Sequence, residues 1–150
     1  MQMVLRRMKK EEKGFTLIEL LAVIVILAVI AVIAVPLIGN IIKNTKDDAD
    51  VATARQVSDA ARLYIQGELS GVTPLTIAVK ADTETPAGGL MQRGYLDAGT
   101  VLPSNKEKIT GGVVTYNSSG ELVSVSFTTA TITAAKVIPA SEILDGKKAR

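Results

Sequence analysis

The hydrophobic positions of this chain fall into three patterns. The first is unbroken: the 19 residues from Leu20 to Ile38 carry no charge, and Pro36 is their only helix breaker. At about 1.5 Å rise per residue this length approaches a hydrocarbon core about 30 Å thick, so the run predicts a membrane-spanning helix. The second pattern begins after Lys43, where Ala54, Val57, Ala60, Ala61, Tyr64 and Ile65 recur at helical spacing. Asp47, Asp48, Asp50, Arg55, Asp59 and Arg62 occupy the opposite face. That amphipathic stripe predicts a helix continuing to about residue 69 and backing a small sheet, with Gly67 and Gly71-Val72-Thr73-Pro74 ending it.

The third pattern alternates. Val113-Val114-Thr115-Tyr116, the turn Asn117-Ser118-Ser119-Gly120 and then Leu122 to Phe127 predict a hairpin. Val123, Val125 and Phe127 are expected to face inward, with Ser124 and Ser126 facing water. A third strand over Ala130–Val137 completes the expected antiparallel meander at 113–138. Between the helix and the hairpin, residues 70–112 are punctuated by glycine and proline, with Leu75–Val79 as a short strand and Leu90–Leu96 as a helix-turn whose Leu90, Tyr95 and Leu96 pack inward. The tail at 139–150 is expected to be exposed and mobile.

Charge adds direction to this picture. Of the 17 basic and 15 acidic residues, five and two lie in the first 14, leaving 12 and 13. The remainder is close to neutral, which gives no support to a nucleic-acid-binding surface. Basic residues immediately before a span hold that end in the cytoplasm, so the C-terminal part is expected outside. Residues 1–14 form a leader to be set apart from the fold. The apolar run is longer than the usual 7–15-residue core of a secretory signal, and no small-residue cleavage site follows it.

Candidate chemistry is sparse. Cysteine and histidine are absent, which removes disulfides, thiolate or imidazole metal sites and His- or Cys-based catalysis. Asp82, Glu84 and Asp97 lack the dense ligand spacing of a calcium loop and read as solvated loop charge. No catalytic residues, no metal site and no cofactor are expected, and the chain is not read as an enzyme. The exception to this plainness is Glu19, an ionisable group at the entrance of an apolar helix, which is costly enough to suggest a function.

Gly14-Phe15-Thr16-Leu17-Ile18-Glu19-Leu20 resembles the class III signal peptide of type IV pilins and pseudopilins. The resemblance covers residues 13 to about 42, and Pro36 falls where many pilins carry a helix-bending proline. It implies cleavage between Gly14 and Phe15 by a membrane peptidase, N-methylation of Phe15, and an assembly role for Glu19, Phe15, Thr16 and Pro36. The absence of a C-terminal cysteine pair departs from many Gram-negative pilins and leans toward a Gram-positive filament.

The implied fold is α+β: a long N-terminal helix packed on a small antiparallel sheet, the pilin "lollipop". The expected domains are a leader at 1–14, a transmembrane and polymerisation helix at 15–42 and a globular head at 43–150. The implied function is that of a structural prepilin, first in the cytoplasmic membrane and then in a surface filament. Its implied partners are copies of itself, minor pilins, a prepilin peptidase, an assembly ATPase and platform, and membrane lipid before assembly. A pseudopilin of a secretion or DNA-uptake machine, and a monomeric membrane-anchored binding module, are the alternatives.

Independently of the resemblance, cleavage after Gly14 would place an amine about one helical turn from Glu19. In a bundle of identical helices that amine can pair with the Glu19 carboxylate of a neighbour, and a contact between two different patches repeats into a filament rather than closing.

Overall fold

The computed structural model describes residues 16–80 and 88–149. Among these residues seven elements follow one another: α1 (Leu17–Gly67), β1 (Thr76–Ala78), β2 (Val101–Leu102), β3 (Glu107–Tyr116), β4 (Leu122–Thr129), β5 (Lys136–Pro139) and α2 (Ala140–Asp145). The layout is α+β, a long N-terminal helix packed on a small antiparallel sheet. The chain divides into two compact units, residues 1–41 and 42–150.

In the first unit α1 is uninterrupted through Pro36. From residue 16 to residue 41 every side chain is exposed except the half-buried Ala34. The run that reads as a membrane span therefore has no protein partner among the described residues.

In the second unit the same helix buries one face. Ala54, Val57, Ala60, Ala61, Tyr64 and Ile65 are all buried, as their spacing predicts, and Val51 extends the stripe by one turn. The alanines let the sheet approach closely, while Val57, Tyr64 and Ile65 contribute roughly 1.5–3 kcal/mol each by leaving water. The helix ends where Gly71 donates its N–H to the Ile65 carbonyl, with Ser70 and Gly71 both at positive φ.

The sheet is built on β3, which pairs antiparallel with β1, β2 and β4, while β5 pairs with the far edge of β4. The β3–β4 hairpin falls where alternation predicts it, but β3 begins at Glu107, inside the stretch expected to be irregular. Two register shifts interrupt the pairing. Thr115 opposes Ser124 and Tyr116 opposes Leu122, which leaves Val123 as an extra bulge residue. Val123 is accordingly 45% exposed, whereas Val125 and Phe127 are fully buried. The second shift lies between Ile109 and Gly111. Just beyond it, Gly112 sits at φ 145°, and a Cβ there would meet the Ser126 carbonyl oxygen at 2.1 Å. Only glycine fits that approach.

The third strand expected over 130–137 is displaced to Lys136–Pro139. Side chains explain the displacement. The Thr131 N–H donates to Glu107 Oε2 at 3.1 Å and the Ile132 N–H to Thr129 Oγ1 at 3.2 Å, so these amides are already satisfied away from a ladder. The Glu107 carboxyl is held below its ordinary pKa by the hydroxyls of Thr131 and Thr129 and the Thr131 amide.

The tail also differs from expectation. Residues 140–145 form α2, entered through Pro139, with Ile143 only 2% exposed against the core and Gly146 closing the helix at φ 73°.

Candidate functional site

The start of α1 is a small closed device. The Thr16 carbonyl accepts from the N–H groups of Glu19 and Leu20, at 3.0 and 3.3 Å. In return, Glu19 Oε2 accepts the Thr16 N–H at 2.9 Å. Thr16-x-x-Glu19 thereby forms the reach-back half of a capping box, in which a carboxylate three residues into the helix satisfies an amide at its mouth. The negative charge also faces the positive end of the helix dipole. The amide concerned is that of Thr16, the residue that follows Phe15 in the sequence. Gly14 and Phe15 lie outside the described residues.

Beyond this turn, Leu17 to Ile42 presents large apolar side chains all round, with Leu17 86% and Val32 76% exposed. A helix apolar on every side and covered by none of the described residues needs lipid or other helices around it. Pro36 is accommodated in the last third of this stretch without ending the helix.

The polar chemistry of the head gathers elsewhere. Asp50 is fully buried; its Oδ1 accepts the Ser104 N–H at 2.9 Å and its Oδ2 the Lys136 Nζ at 2.5 Å. Lys136 also reaches Asp47 at 3.2 Å, which receives Lys148 at 3.1 Å on its other oxygen. Burial would raise the Asp47 pKa, but hydrogen bonds from Lys148 and Lys136 outweigh it and hold the carboxyl below its ordinary value. Burial would likewise lower Lys136, and its bonds to Asp50 and Asp47 instead hold it above the ordinary lysine range. Each charge is compensated inside the fold, so the arrangement is a clasp between α1, the turn before β3, and β5.

A second anchor lies near the end of α1. Arg93 pairs with Glu68 and stacks 4.9 Å above the Tyr64 ring, which meets Tyr95 edge-on at 5.6 Å. It seats the turn carrying the buried Leu90 and Leu96, which pack inward with Tyr95 as expected. Asp97 is occupied locally: its Oδ1 accepts the Gly99 N–H and its carbonyl accepts from Thr100. Asp82 and Glu84 lie outside the described residues.

The prokaryotic N-terminal methylation motif, the class III signal peptide of type IV pilins, matches residues 9–35. The chain thus carries at its N-terminus the motif of type IV pilin-like precursors. No curated protein and no solved structure matches it. The matched segment contains Gly14 and Phe15, the Thr16–Glu19 turn and most of the exposed helix, and ends one residue before Pro36. The motif and the exposed apolar helix together fit a membrane-anchored precursor, and the motif implies recognition by a prepilin peptidase.

Of the site residues expected from sequence, the structure joins Thr16 to Glu19 and places Pro36 far along the same helix. The Asp47–Asp50–Lys136 clasp of the head is not among the sequence expectations. Asp47, Asp48 and Asp50 all belong to the predicted polar face, and the exception among them, Asp50, is buried because a lysine from a distant strand meets it. Its only signal in the sequence is one helical step, from Asp50 to the apolar Ala54.

Proposed function

We propose that this chain is the structural subunit of a type IV pilus, made as a precursor. Residues 1–14 are a leader removed between Gly14 and Phe15, and Phe15 is then N-methylated. Residues 15–42 anchor the precursor in the cytoplasmic membrane and afterwards polymerise, and residues 43–150 form the head outside. The observation that carries this reading is Thr16 bonded to Glu19 at the mouth of a helix whose large apolar side chains are exposed from Leu17 to Ile42, directly after Gly14-Phe15 in the sequence.

The chemistry follows from that juxtaposition. Gly14, without a Cβ, leaves the scissile bond open to a peptidase. Cleavage converts the Phe15 nitrogen into an amine beside the Glu19 carboxylate. In a filament the Glu19 of one subunit meets the amine of another, cancelling two charges inside a helix bundle that replaces lipid. The contact is heterologous and propagates. Minor pilins and an assembly ATPase with its platform complete the machinery.

The test is N-terminal sequencing and intact mass on protein sheared from the cell surface. A chain beginning at N-methylated Phe15, in material that sediments as fibres, is the expected result. A chain beginning at Met1, or a soluble one cut near Ala34, overturns the reading. Processed protein confined to short fibres within the envelope moves it to the pseudopilins.

A further inference from the structure

The head contains a groove that none of the chemistry above uses. About 600 Å³ in volume, it lies between the end of α1, the turn after it, the β3–β4 hairpin and α2. This is within the usual range for small-ligand sites. Arg62, Gln66 and Thr73 supply polar groups on one side and Glu121 on the hairpin turn, while Ile65, Leu122 and Leu144 supply apolar surface.

Three features mark the groove as unfinished. Tyr116, only 4% exposed, lines it, and its hydroxyl is the buried side-chain polar atom without a hydrogen-bond partner among the described residues. A phenol in that position calls for a partner. Among the described residues the Arg62 guanidinium has only a loose ion pair with Asp59 at 3.9 Å, both side chains being more than half exposed, which leaves most of its fork available. Leu144 is 65% exposed on the rim, so part of the apolar lining has nothing packed against it.

The charges specify what fits. Donors gather at the Arg62 and Gln66 side, where an anionic acceptor is favoured. Glu121 accepts one hydrogen bond, from Asn117 Nδ2 at 2.8 Å, and a carboxylate has room for more. A simple anion would be repelled by Glu121 and a simple cation by Arg62. We propose that this groove binds a short apolar peptide with free ends, its carboxylate at Arg62, its ammonium at Glu121 and its side chains on Ile65, Leu122 and Leu144. This inference is independent of whether the chain polymerises, because the groove lies wholly within the head.

The test uses the full chain in phosphatidylcholine nanodiscs with labelled isoleucine and leucine methyl groups. The probes are the dipeptide Leu-Leu and its end-blocked form, N-acetyl-Leu-Leu-amide. Leu-Leu should shift the methyl signals of Ile65, Leu122 and Leu144 saturably, and the blocked form should bind at least about tenfold more weakly. Arg62→Gln and Glu121→Gln are exposed changes that should preserve the spectrum of the head while each weakening Leu-Leu about tenfold. No saturable shift up to about 10 mM, equal binding of the blocked dipeptide, or unchanged binding in both variants overturns the proposal.

Discussion

Lys136 and Asp50, 86 residues apart in sequence, meet at 2.5 Å with the carboxylate completely buried. The pair fastens the last strand of the sheet to the first buried turn of the helix. Lys136→Met leaves Asp50 with the Ser104 amide as its remaining described hydrogen bond, an under-compensated buried charge. The expected loss is about 3 kcal/mol, the low end for a broken buried pair because Lys136 keeps 26% exposure. Urea unfolding of the two proteins measures it, and a loss below about 1 kcal/mol would place the clasp among ordinary surface pairs.

Stability should fall at both ends of the pH scale. Asp47 is lowered, so its contribution is present above the unfolded value of 3.8 and is lost as pH falls through its folded value; Glu107, lowered from 4.5, acts in the same direction. Lys136 is raised, so its contribution is complete below 10.5 and is lost as pH rises through its folded value. Denaturation midpoints across pH should show a plateau with both shoulders. Lys136→Met should shrink the alkaline shoulder, leaving the part due to the phenols of Tyr116 and Tyr95, which are also raised from 10.0, and an unchanged shoulder would assign all of it to other groups.

Gly112→Ala should destabilise the head by about 2–3 kcal/mol, because a Cβ would enter the Ser126 carbonyl across the β3–β4 pair at a positive φ. A Cβ on Gly39 would meet no atom within 4 Å, so Gly39→Ala is the matched control with no steric cost. Similar denaturation midpoints for the two variants would mean that the strands separate there at little expense.

Glu19 has two separable properties, its charge and its bond to Thr16. Glu19→Gln keeps an acceptor for the Thr16 N–H, whereas Glu19→Ala loses it along with about 1 kcal/mol of helix-start stability. If subunits meet through charge, both variants should reach the membrane and be cleaved yet fail to appear in sheared filaments. Filaments from the glutamine variant alone would show that the cap, rather than the charge, is what assembly needs.

Tyr116→Phe removes a hydroxyl that has no partner among the described residues and keeps the ring. The expected change is a gain of up to about 1 kcal/mol in unfolding free energy, since no hydrogen bond is lost and a desolvated phenol is relieved. Burial already pushes this hydroxyl above its ordinary pKa, with Asp59 adding to the rise and Arg62 opposing it. A loss exceeding about 1 kcal/mol would reveal a bond to solvent at that position.

What can be read from the sequence is whatever repeats locally. The stripe from Ala54 to Ile65 and the alternation of Val125 and Phe127 are periodicities of a single element, and the buried faces follow them. The displaced fifth strand, by contrast, depends on Glu107 capturing Thr131 from 24 residues away. The bulge at Val123 depends on how two strands slip, which neither strand encodes alone. The helix α2 is legible in part: Glu142 in a first turn and Gly146 just after Asp145 are end signals that the charged surroundings obscure. The clasp is not, since Asp50 looks like its solvent-facing neighbours until Lys136 is placed beside it.

The long separation between Asp50 and Lys136 also sets an order of events. Asp47, Asp48 and Asp50 are synthesised well before the strand that neutralises two of them, and Asp50 waits for 86 residues. Until then the helix carries an acidic segment with its apolar stripe uncovered, and β4 lacks β5. Such distant closures are slow, on the order of milliseconds to seconds. A chain anchored by its first helix therefore emerges with an unfinished head, and interruption before Lys136 would leave a tethered acidic helix in place of a folded domain.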